Sequence, residues 1–247
     1  MKHLKRCRLK IHYMTLVYLI IAFVGNYLFR YLMTLSIVLI HELCHLLMAY
    51  CFSFQIEKIE ILPFGAYLSL NDFYFHTIAE ELCVVLAGPC CHLFLYFIFQ
   101  NDFFLDYQEY LLHMNTFVFF FNCLPIYPMD GHRFLCLFLQ SRLDIKSAME
   151  LSLKISVFVL SILTVSYLQI STLMIISYLM SQQFIYYQFI PHFLRQYFIH
   201  ISEKSPDKKK KIHTQLNYRR GYENYYYLNH ELYHEKKMIY ELIKSVK

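Results

Sequence analysis

The sequence contains no tryptophan and only five glycines among its 247 residues, and only 17% of its residues are charged. A water-soluble domain usually has about 25% charged residues, so this chain is poor in the side chains that keep a globule in solution. Such a low glycine content also excludes collagen-like chains. Instead, 57% of the residues are hydrophobic, with 23 tyrosines and 23 phenylalanines. This composition is typical of a polytopic membrane protein.

The few charges are concentrated at the two ends of the chain. Residues 1–10 hold five Lys/Arg and no acidic residue, and residues 201–247 hold eleven Lys/Arg and six acidic residues. Because basic residues flank membrane spans on the cytosolic side, we assign the net charge of +5 to membrane topology, and we expect no nucleic-acid partner. The eight cysteines form no CxxC pair and lie mostly in apolar segments. We therefore expect them to be reduced and structural.

Six apolar segments approach the length of about 20 residues that a membrane span requires. They lie at 12–29, 31–50, 77–99, 109–127, 150–168 and 171–190. With the basic N-terminus in the cytosol, an even number of spans returns the basic C-terminus to the cytosol. The sequence therefore predicts an all-α polytopic membrane protein with about six transmembrane helices and with both termini cytosolic.

Residues 51–76, on the predicted cytosolic side, differ from the spans. Residues 56–62 have a β-like composition, and Pro63, Phe64 and Gly65 follow as a turn signal. We expect a short β-hairpin that dips into the membrane interface after the second helix, with an irregular loop as the alternative. Because an open sheet edge cannot face lipid, a hairpin here must be covered by protein or line a wet cavity.

The second predicted span contains the sequence HELCH at residues 41–45. His41 and His45 are about one helical turn apart, so both imidazoles can bind one metal ion, as in zinc sites. Glu42 can act as a general base toward metal-bound water. Ionisable groups inside a membrane are costly and are functional by default. The alternative is that these residues form hydrogen bonds within a helix bundle. His92 shares no ligand spacing with them, and we expect it to be a bundle or surface residue.

A catalytic zinc site needs a third protein ligand. Asp130 is the candidate by context, because two prolines just before it interrupt the helix and allow a side chain to turn inward. The predicted topology places Asp130 in the same cytosolic half of the bilayer as the two histidines. His132 is the competing ligand. Glu80 and Glu81 are more simply explained as a solvated helix start.

The order of these motifs resembles a known family. The motif at 41–45 in one span, with Asn122 and then Pro-Met-Asp-Gly at 128–131 in a later segment, is similar to the site-2 protease family of intramembrane zinc metalloproteases. The N-x-L-P-x-x-P-x-D-G form, the small size and six spans resemble its sporulation branch, the stage IV sporulation protein FB type. Two further short elements similar to that branch are Leu-Pro-Phe-Gly at 62–65 and Leu-Ala-Gly-Pro at 86–89.

The resemblance covers about residues 1–200 and implies roles for single residues. It implies that one catalytic Zn²⁺ ion has three protein ligands, and that a glutamate is the general base. The implied ligands are His41, His45 and Asp130, the implied base is Glu42, and the implied contact with the scissile peptide is Asn122.

The resemblance also implies that residues 59–68 pair with the substrate. A transmembrane helix hides its peptide bonds in its own hydrogen bonds, so a substrate must become extended before hydrolysis and can then add to a strand. Pro63, Phe64 and Gly65 are therefore expected to contact the substrate.

Two domains are expected from these patterns. Residues 1–200 form the membrane-embedded zinc metalloprotease domain, and residues 201–247 form a basic, tyrosine-rich cytosolic tail. We predict that the tail is helical, because apolar residues fall on one helical face, namely Leu228, Leu232, Ile239 and Ile243. Members of the branch often carry a C-terminal CBS domain, and we expect no complete domain of this kind here.

The resemblance implies a membrane-associated protein substrate, in particular a sporulation sigma-factor precursor. The implied location is the bacterial inner membrane or the membrane around a forespore, and a membrane-bound inhibitor or regulator is a possible further partner. One alternative is a general regulated intramembrane protease that acts on anti-sigma factors, signal-peptide remnants or peptide pheromones. A divalent-metal transporter is another, although metal carriers use several exchangeable sites along a path, whereas these ligands are concentrated at one level.

Overall fold

A computed structural model describes residues 8–62, 65–166, 170–203, 209–228 and 231–245. The chain divides into two compact units, an N-terminal unit that ends at Cys123 and a C-terminal unit that begins at Leu124. Both units are mostly helical, and each contains one small three-stranded sheet.

The N-terminal unit contains helices α1 (Tyr13–Val24), α2 (Leu28–Cys51), α3 (Ile78–Phe99) and α4 (Gln108–Cys123) and strands β1 (Arg8–Ile11), β2 (Ile56–Leu62) and β3 (Gly65–Leu70). Strand β2 pairs in parallel with β1 and antiparallel with β3. The antiparallel pair lies where the sequence predicts a hairpin or a loop. Pro63 and Phe64, at the predicted turn, lie outside the described residues.

The core of this unit is the packing of α2 against α3 and α4. Its buried members are apolar side chains from all three helices, namely Ile37, Cys91, Leu95, Phe99, Leu111 and Val118. Helix α3 begins with a capping box, in which Thr77 and Glu80 satisfy each other's backbone N–H groups. Cys44 packs against this apolar cluster, in line with the structural role expected for the cysteines.

The C-terminal unit contains helices α5 (Asp130–Arg142), α6 (Ile145–Ser166), α7 (Ile170–Glu203) and α8 (Glu235–Ser245) and strands β4 (Lys209–His213), β5 (Tyr222–Leu228) and β6 (Glu231–His234). Strand β5 pairs in parallel with β4 and antiparallel with β6. We call these three strands the tail sheet.

Each of the six segments predicted to cross the membrane contains a helix. Among the described residues, three of these helices are both long and apolar enough to span a membrane, namely α2, α3 and α6. Helix α1 is apolar but has 12 residues, fewer than the roughly 20 that a span requires. The protein is therefore mostly helical with three candidate membrane helices, and the count of six spans stays a prediction.

The predicted helical tail is wrong for most of its described length. Helix formation is limited to α8, whereas 209–213, 222–228 and 231–234 are strands. Leu228 ends β5 and Leu232 lies in β6, so they do not share a helical face with the later isoleucines. The physical reason is that the tyrosine-rich segment of β5 has high β-propensity, and the adjacent strands satisfy its backbone groups.

Candidate metal centre

His41 and His45 meet on one face of α2. Their Nε2 atoms lie 3.1 Å apart, and both side chains are buried, with relative exposures of 1% and 5%. The i, i+4 spacing places one imidazole a turn above the other, as the sequence predicts. Two ring nitrogens therefore converge on one point at the face of an otherwise apolar helix.

Both imidazoles use the opposite nitrogen, Nδ1, for a hydrogen bond. His45 Nδ1 lies 2.7 Å from the carbonyl oxygen of Val84, and because a carbonyl can only accept, Nδ1 must carry the proton. His41 Nδ1 lies 3.0 Å from Nε2 of His92. An imidazole with its proton on Nδ1 presents a lone pair at Nε2, the form that binds a metal.

Helix α3 approaches the two imidazoles at a glycine. A Cβ added at Gly88 would overlap Nε2 of His45 and would lie 2.6 Å from Cε1 of His41. Only glycine fits at this position without displacing a ring or a helix. The Gly88 of the Leu-Ala-Gly-Pro element thus makes room for the histidine pair.

Glu42 follows His41 on α2 and is partly exposed. Asn122 lies in the last turn of α4, where its Nδ2 donates to the carbonyl oxygen of Val118 at 3.1 Å. Gly65 is the first residue of β3 and pairs with Leu62. The substrate-binding roles of Asn122 and Gly65 stay predictions.

Asp130 is the first residue of α5 and is 7% exposed. The positive end of a helix dipole favours a carboxylate at this position, and a buried carboxylate also requires a cation or hydrogen-bond donors. Asp130 belongs to the C-terminal unit, whereas His41 and His45 belong to the N-terminal unit. Its role as their co-ligand stays a prediction.

In the non-helical segment before Asp130, the N–H and C=O of Tyr127 form hydrogen bonds with two side chains. The N–H of Tyr127 donates to Oγ of Ser156 at 3.0 Å, and that hydroxyl donates to Oε1 of Gln183 at 2.6 Å. Gln183 Nε2 in turn donates to the carbonyl oxygen of Tyr127 at 2.7 Å. Irregular backbone at membrane depth persists only where protein groups replace the lost hydrogen bonds.

His132, the competing ligand, is buried between aromatic rings. Its ring meets Tyr127 and Tyr186 edge-on, at centroid distances of 5.5 and 4.9 Å. Burial, and to a smaller extent the charge of Arg133, lower the pKa of His132 to about 4. The imidazole is therefore neutral near pH 7, and its Nε2 has no hydrogen-bond partner among the described residues. His132 stays the alternative ligand.

Sequence reasoning missed two polar residues of α3. His92 was expected to be a bundle or surface residue without a role at the site, yet it contacts His41. Glu81 was expected to be solvated, yet it is 0% exposed. With a helical repeat of 100° per residue, Glu81, Gly88 and His92 lie within about 40° of one another. The sequence signal that could have identified them is this shared face, aligned with the glycine of the Leu-Ala-Gly-Pro element.

The chain is similar to known proteins in sequence and in fold. Residues 29–104 match the model of peptidase family M50. Stage IV sporulation protein FB of Bacillus subtilis (strain 168) is 34% identical over 161 residues, which cover 60% of this chain and 54% of that protein. The chain thus matches about half the length of this relative. The site-2 protease from Methanocaldococcus jannaschii has a similar fold, with a TM-score of 0.55 and 20% identity over 75% of this chain and 91% of that chain.

Proposed function

Because this chain resembles the site-2 protease family and matches peptidase family M50 over residues 29–104, we propose that it is an intramembrane zinc metalloprotease. It hydrolyses a peptide bond of a membrane-associated substrate near the cytosolic face. The observation that carries this proposal is the buried, convergent pair of Nε2 atoms of His41 and His45, 3.1 Å apart, with Glu42 next to them in the chain.

The available donor atoms fit one Zn²⁺ ion. Two imidazole nitrogens and one carboxylate form a ligand set found in catalytic zinc sites, which keep a fourth position for water or substrate. The hydrogen bonds at both Nδ1 atoms hold the rings in the tautomer that a metal requires. We therefore assign His41, His45 and Asp130 as the ligands. When bound, zinc lowers the pKa of its water to about 7 and polarises the scissile carbonyl.

Glu42 supplies the proton transfers of the reaction. Its carboxylate removes a proton from the attacking water, and the resulting carboxylic acid then delivers that proton to the nitrogen of the leaving amine. Protonation of this nitrogen allows the C–N bond to break, so the leaving group is a neutral amine and not an amide anion. General acid–base catalysis of this kind contributes roughly 10²- to 10⁴-fold to a rate.

Strand β3 supports the proposal that the substrate binds in an extended form. It is an edge strand of the order β1–β2–β3 and contacts α2, the helix that carries the histidines. An edge strand offers backbone N–H and C=O groups to which an unwound substrate can pair. We propose that this edge, which begins at Gly65, binds the substrate together with the preceding residues Pro63 and Phe64, and that Asn122 contacts the scissile peptide.

The proposed substrate is a sporulation sigma-factor precursor. The motif resemblance supports it, as does the 34% identity to a relative whose name refers to stage IV of sporulation. We propose the inner membrane or the membrane around a forespore as the location, with both termini in the cytosol. A membrane-bound regulator is proposed as a second partner.

Co-expression with a tagged sigma-factor precursor tests this function. We expect the wild-type chain to yield a shorter product on an immunoblot, and Glu42→Gln to reduce its formation by about 100-fold or more. Glu109→Gln, an exposed position in the first turn of α4, is the matched control and should retain cleavage.

Equal product from wild type and Glu42→Gln would contradict the proposed base. Zinc analysis of the purified variants separates binding from catalysis, because His41→Ala should lose the ion and Glu42→Gln should keep it. Zinc flux into liposomes that persists in Glu42→Gln, without any cleavage, would instead support a divalent-metal transporter.

A further inference from the structure

A chain of buried polar contacts runs from His41 through two neighbouring helices. His41 Nδ1 on α2 lies 3.0 Å from His92 Nε2 on α3. His92 Nδ1 lies 2.7 Å from Asn115 Oδ1 on α4, and Asn115 Nδ2 donates to the carbonyl oxygen of His92 at 3.0 Å. All three side chains are buried.

The direction of each hydrogen bond follows from the contact between Asn115 Nδ2 and the carbonyl oxygen of His92. Because the carbonyl of His92 can only accept, the NH₂ group of Asn115 must face it, which leaves the amide oxygen facing His92 Nδ1. His92 Nδ1 therefore carries the proton, and in a neutral ring its Nε2 is an acceptor. His41 must then donate from Nδ1, which leaves the lone pair of His41 on Nε2.

The two histidines of α2 differ in what holds them. His45 donates to a main-chain carbonyl, that of Val84, which no substitution at residue 84 removes. His41 Nδ1 instead donates to a side chain, the imidazole of His92, whose orientation Asn115 holds at both the ring and the carbonyl. The orientation of His41 can therefore be altered at positions 92 and 115.

We propose that the His92–Asn115 pair is a positioning device that fixes His41 as an Nε2 ligand of the metal. The inference rests on the proposed zinc site and adds two residues to it that have no ligand role of their own. Side chains that hold a metal-ligating histidine typically account for a 10- to 100-fold change in metal affinity.

Variants of Asn115 test this role with little change in side-chain volume. Asn115→Leu removes the acceptor for His92 Nδ1, and we expect zinc affinity to fall by about 10- to 100-fold. Asn115→Asp keeps an acceptor oxygen, and zinc affinity should stay within a few-fold of wild type. Leu111→Ala is the matched control, because Leu111 is a buried core residue of the same helix. This control should lower thermal stability without changing zinc affinity.

The affinity is measured on the full-length purified protein by competition with a chelator, and the coordination by the absorption spectrum of Co²⁺ added in place of zinc. Asn115→Leu should alter the Co²⁺ ligand-field bands, whereas Leu111→Ala should leave them unchanged. Wild-type zinc affinity and an unchanged Co²⁺ spectrum in Asn115→Leu would overturn the inference.

A thiolate-to-cobalt charge-transfer band would also overturn it. Such a band would report a cysteine ligand. Because the ligand atoms of His41, Cys91 and His92 lie within 4.8 Å of one another, the band would place the ion at this cluster, where His92 is a ligand rather than a positioning residue. Wild-type protein that binds neither ion through His41 and His45 would refute the proposed zinc site itself. The two failures are distinguishable. If the wild-type protein binds zinc and Asn115→Leu binds it equally well, only the role of Asn115 is refuted.

Discussion

Residue 88 faces the two α2 imidazoles from α3, where a Cβ would lie 2.6 Å from Cε1 of His41. Both rings are held by hydrogen bonds at Nδ1, so neither can move aside without losing one. A methyl group at this position must therefore displace a ring, or separate α2 from α3, and overpacking of this kind costs about 1–3 kcal/mol.

We expect Gly88→Ala to lower zinc affinity at least about 10-fold, because His41 and His45 would no longer converge. Chelator competition on the purified variant measures this change. Cys90→Ala, at an exposed position of the same helix, should bind zinc like wild type. Unchanged zinc affinity in Gly88→Ala would show that the histidine pair tolerates the extra carbon.

Residue-level predictions succeeded where the interaction is local. His41 and His45 are four residues apart on one helix, so spacing alone predicted their meeting. His92 is 51 residues from His41, and Asn115 is 23 residues from His92. Contacts of that separation depend on how α2, α3 and α4 pack, which no single-helix pattern contains.

The irregular segment between α4 and α5 depends on one glutamine. Gln183 both donates to the carbonyl oxygen of Tyr127 and accepts from Ser156, which itself accepts from the Tyr127 N–H. Replacing Gln183 by leucine leaves the buried hydroxyl of Ser156 and the partly buried carbonyl of Tyr127 without this partner. Loss of a partner for a buried polar group costs about 1–3 kcal/mol.

We therefore expect Gln183→Leu to lower the thermal unfolding temperature of the purified protein and to increase proteolysis near residue 127. Gln182→Leu is the matched control, since the neighbouring glutamine is not part of this hydrogen-bonded loop. Equal unfolding temperatures for the two variants would contradict a structural role for Gln183.

At the scale of elements, apolar runs predicted the positions of helices correctly. Helical periodicity in the tail predicted a helix where most of the described residues form strands. All six predicted spans contain a helix, because long apolar runs and local caps such as Thr77 with Glu80 act within one segment. In the tail, four apolar residues happened to fit a helical period, whereas the tyrosines of β5 gain their stability from pairing with β4 and β6.

The loop between β4 and β5 of the tail sheet packs against helices of the C-terminal unit. The ring of Tyr218 contacts that of Phe198 on α7, and Arg220 Nη1 donates to Gln140 Oε1 on α5 at 2.6 Å. The compact units of the chain divide between Cys123 and Leu124, and the functional domain boundary at residue 200 stays a prediction. Helix α7 runs through that position to Glu203 without a break.

Gln140→Leu should loosen this attachment. It removes an acceptor from the buried guanidinium of Arg220, and a hydrogen bond to a charged group contributes about 1.5–3 kcal/mol. We expect faster amide hydrogen exchange in 209–228 and 231–234, measured by mass spectrometry. Ser141→Ala, at the next and exposed position, is the control. Exchange as slow as in wild type would mean that other contacts hold the sheet.

For the whole molecule, the family resemblance predicted from the motifs is confirmed over residues 29–104 by the match to peptidase family M50, and the chain has a fold similar to that of a site-2 protease. Motif order was sufficient for this because each motif is short and local. The number of spans, the orientation of the termini and the substrate stay predictions. The number of spans and the orientation depend on the lipid bilayer, and the substrate depends on a second protein. Neither the bilayer nor the second protein is part of this sequence.

Helix α5 has Asp130 at one end and, near the other, Gln140 bonded to Arg220 of the tail. Its 13 residues make a rod of about 20 Å, at 1.5 Å per residue. A rod of this kind is stiff along its axis, whereas a loop would stretch. The contact with Arg220 and the Asp130 carboxylate therefore lie on one rigid element, about 15 Å apart along its axis.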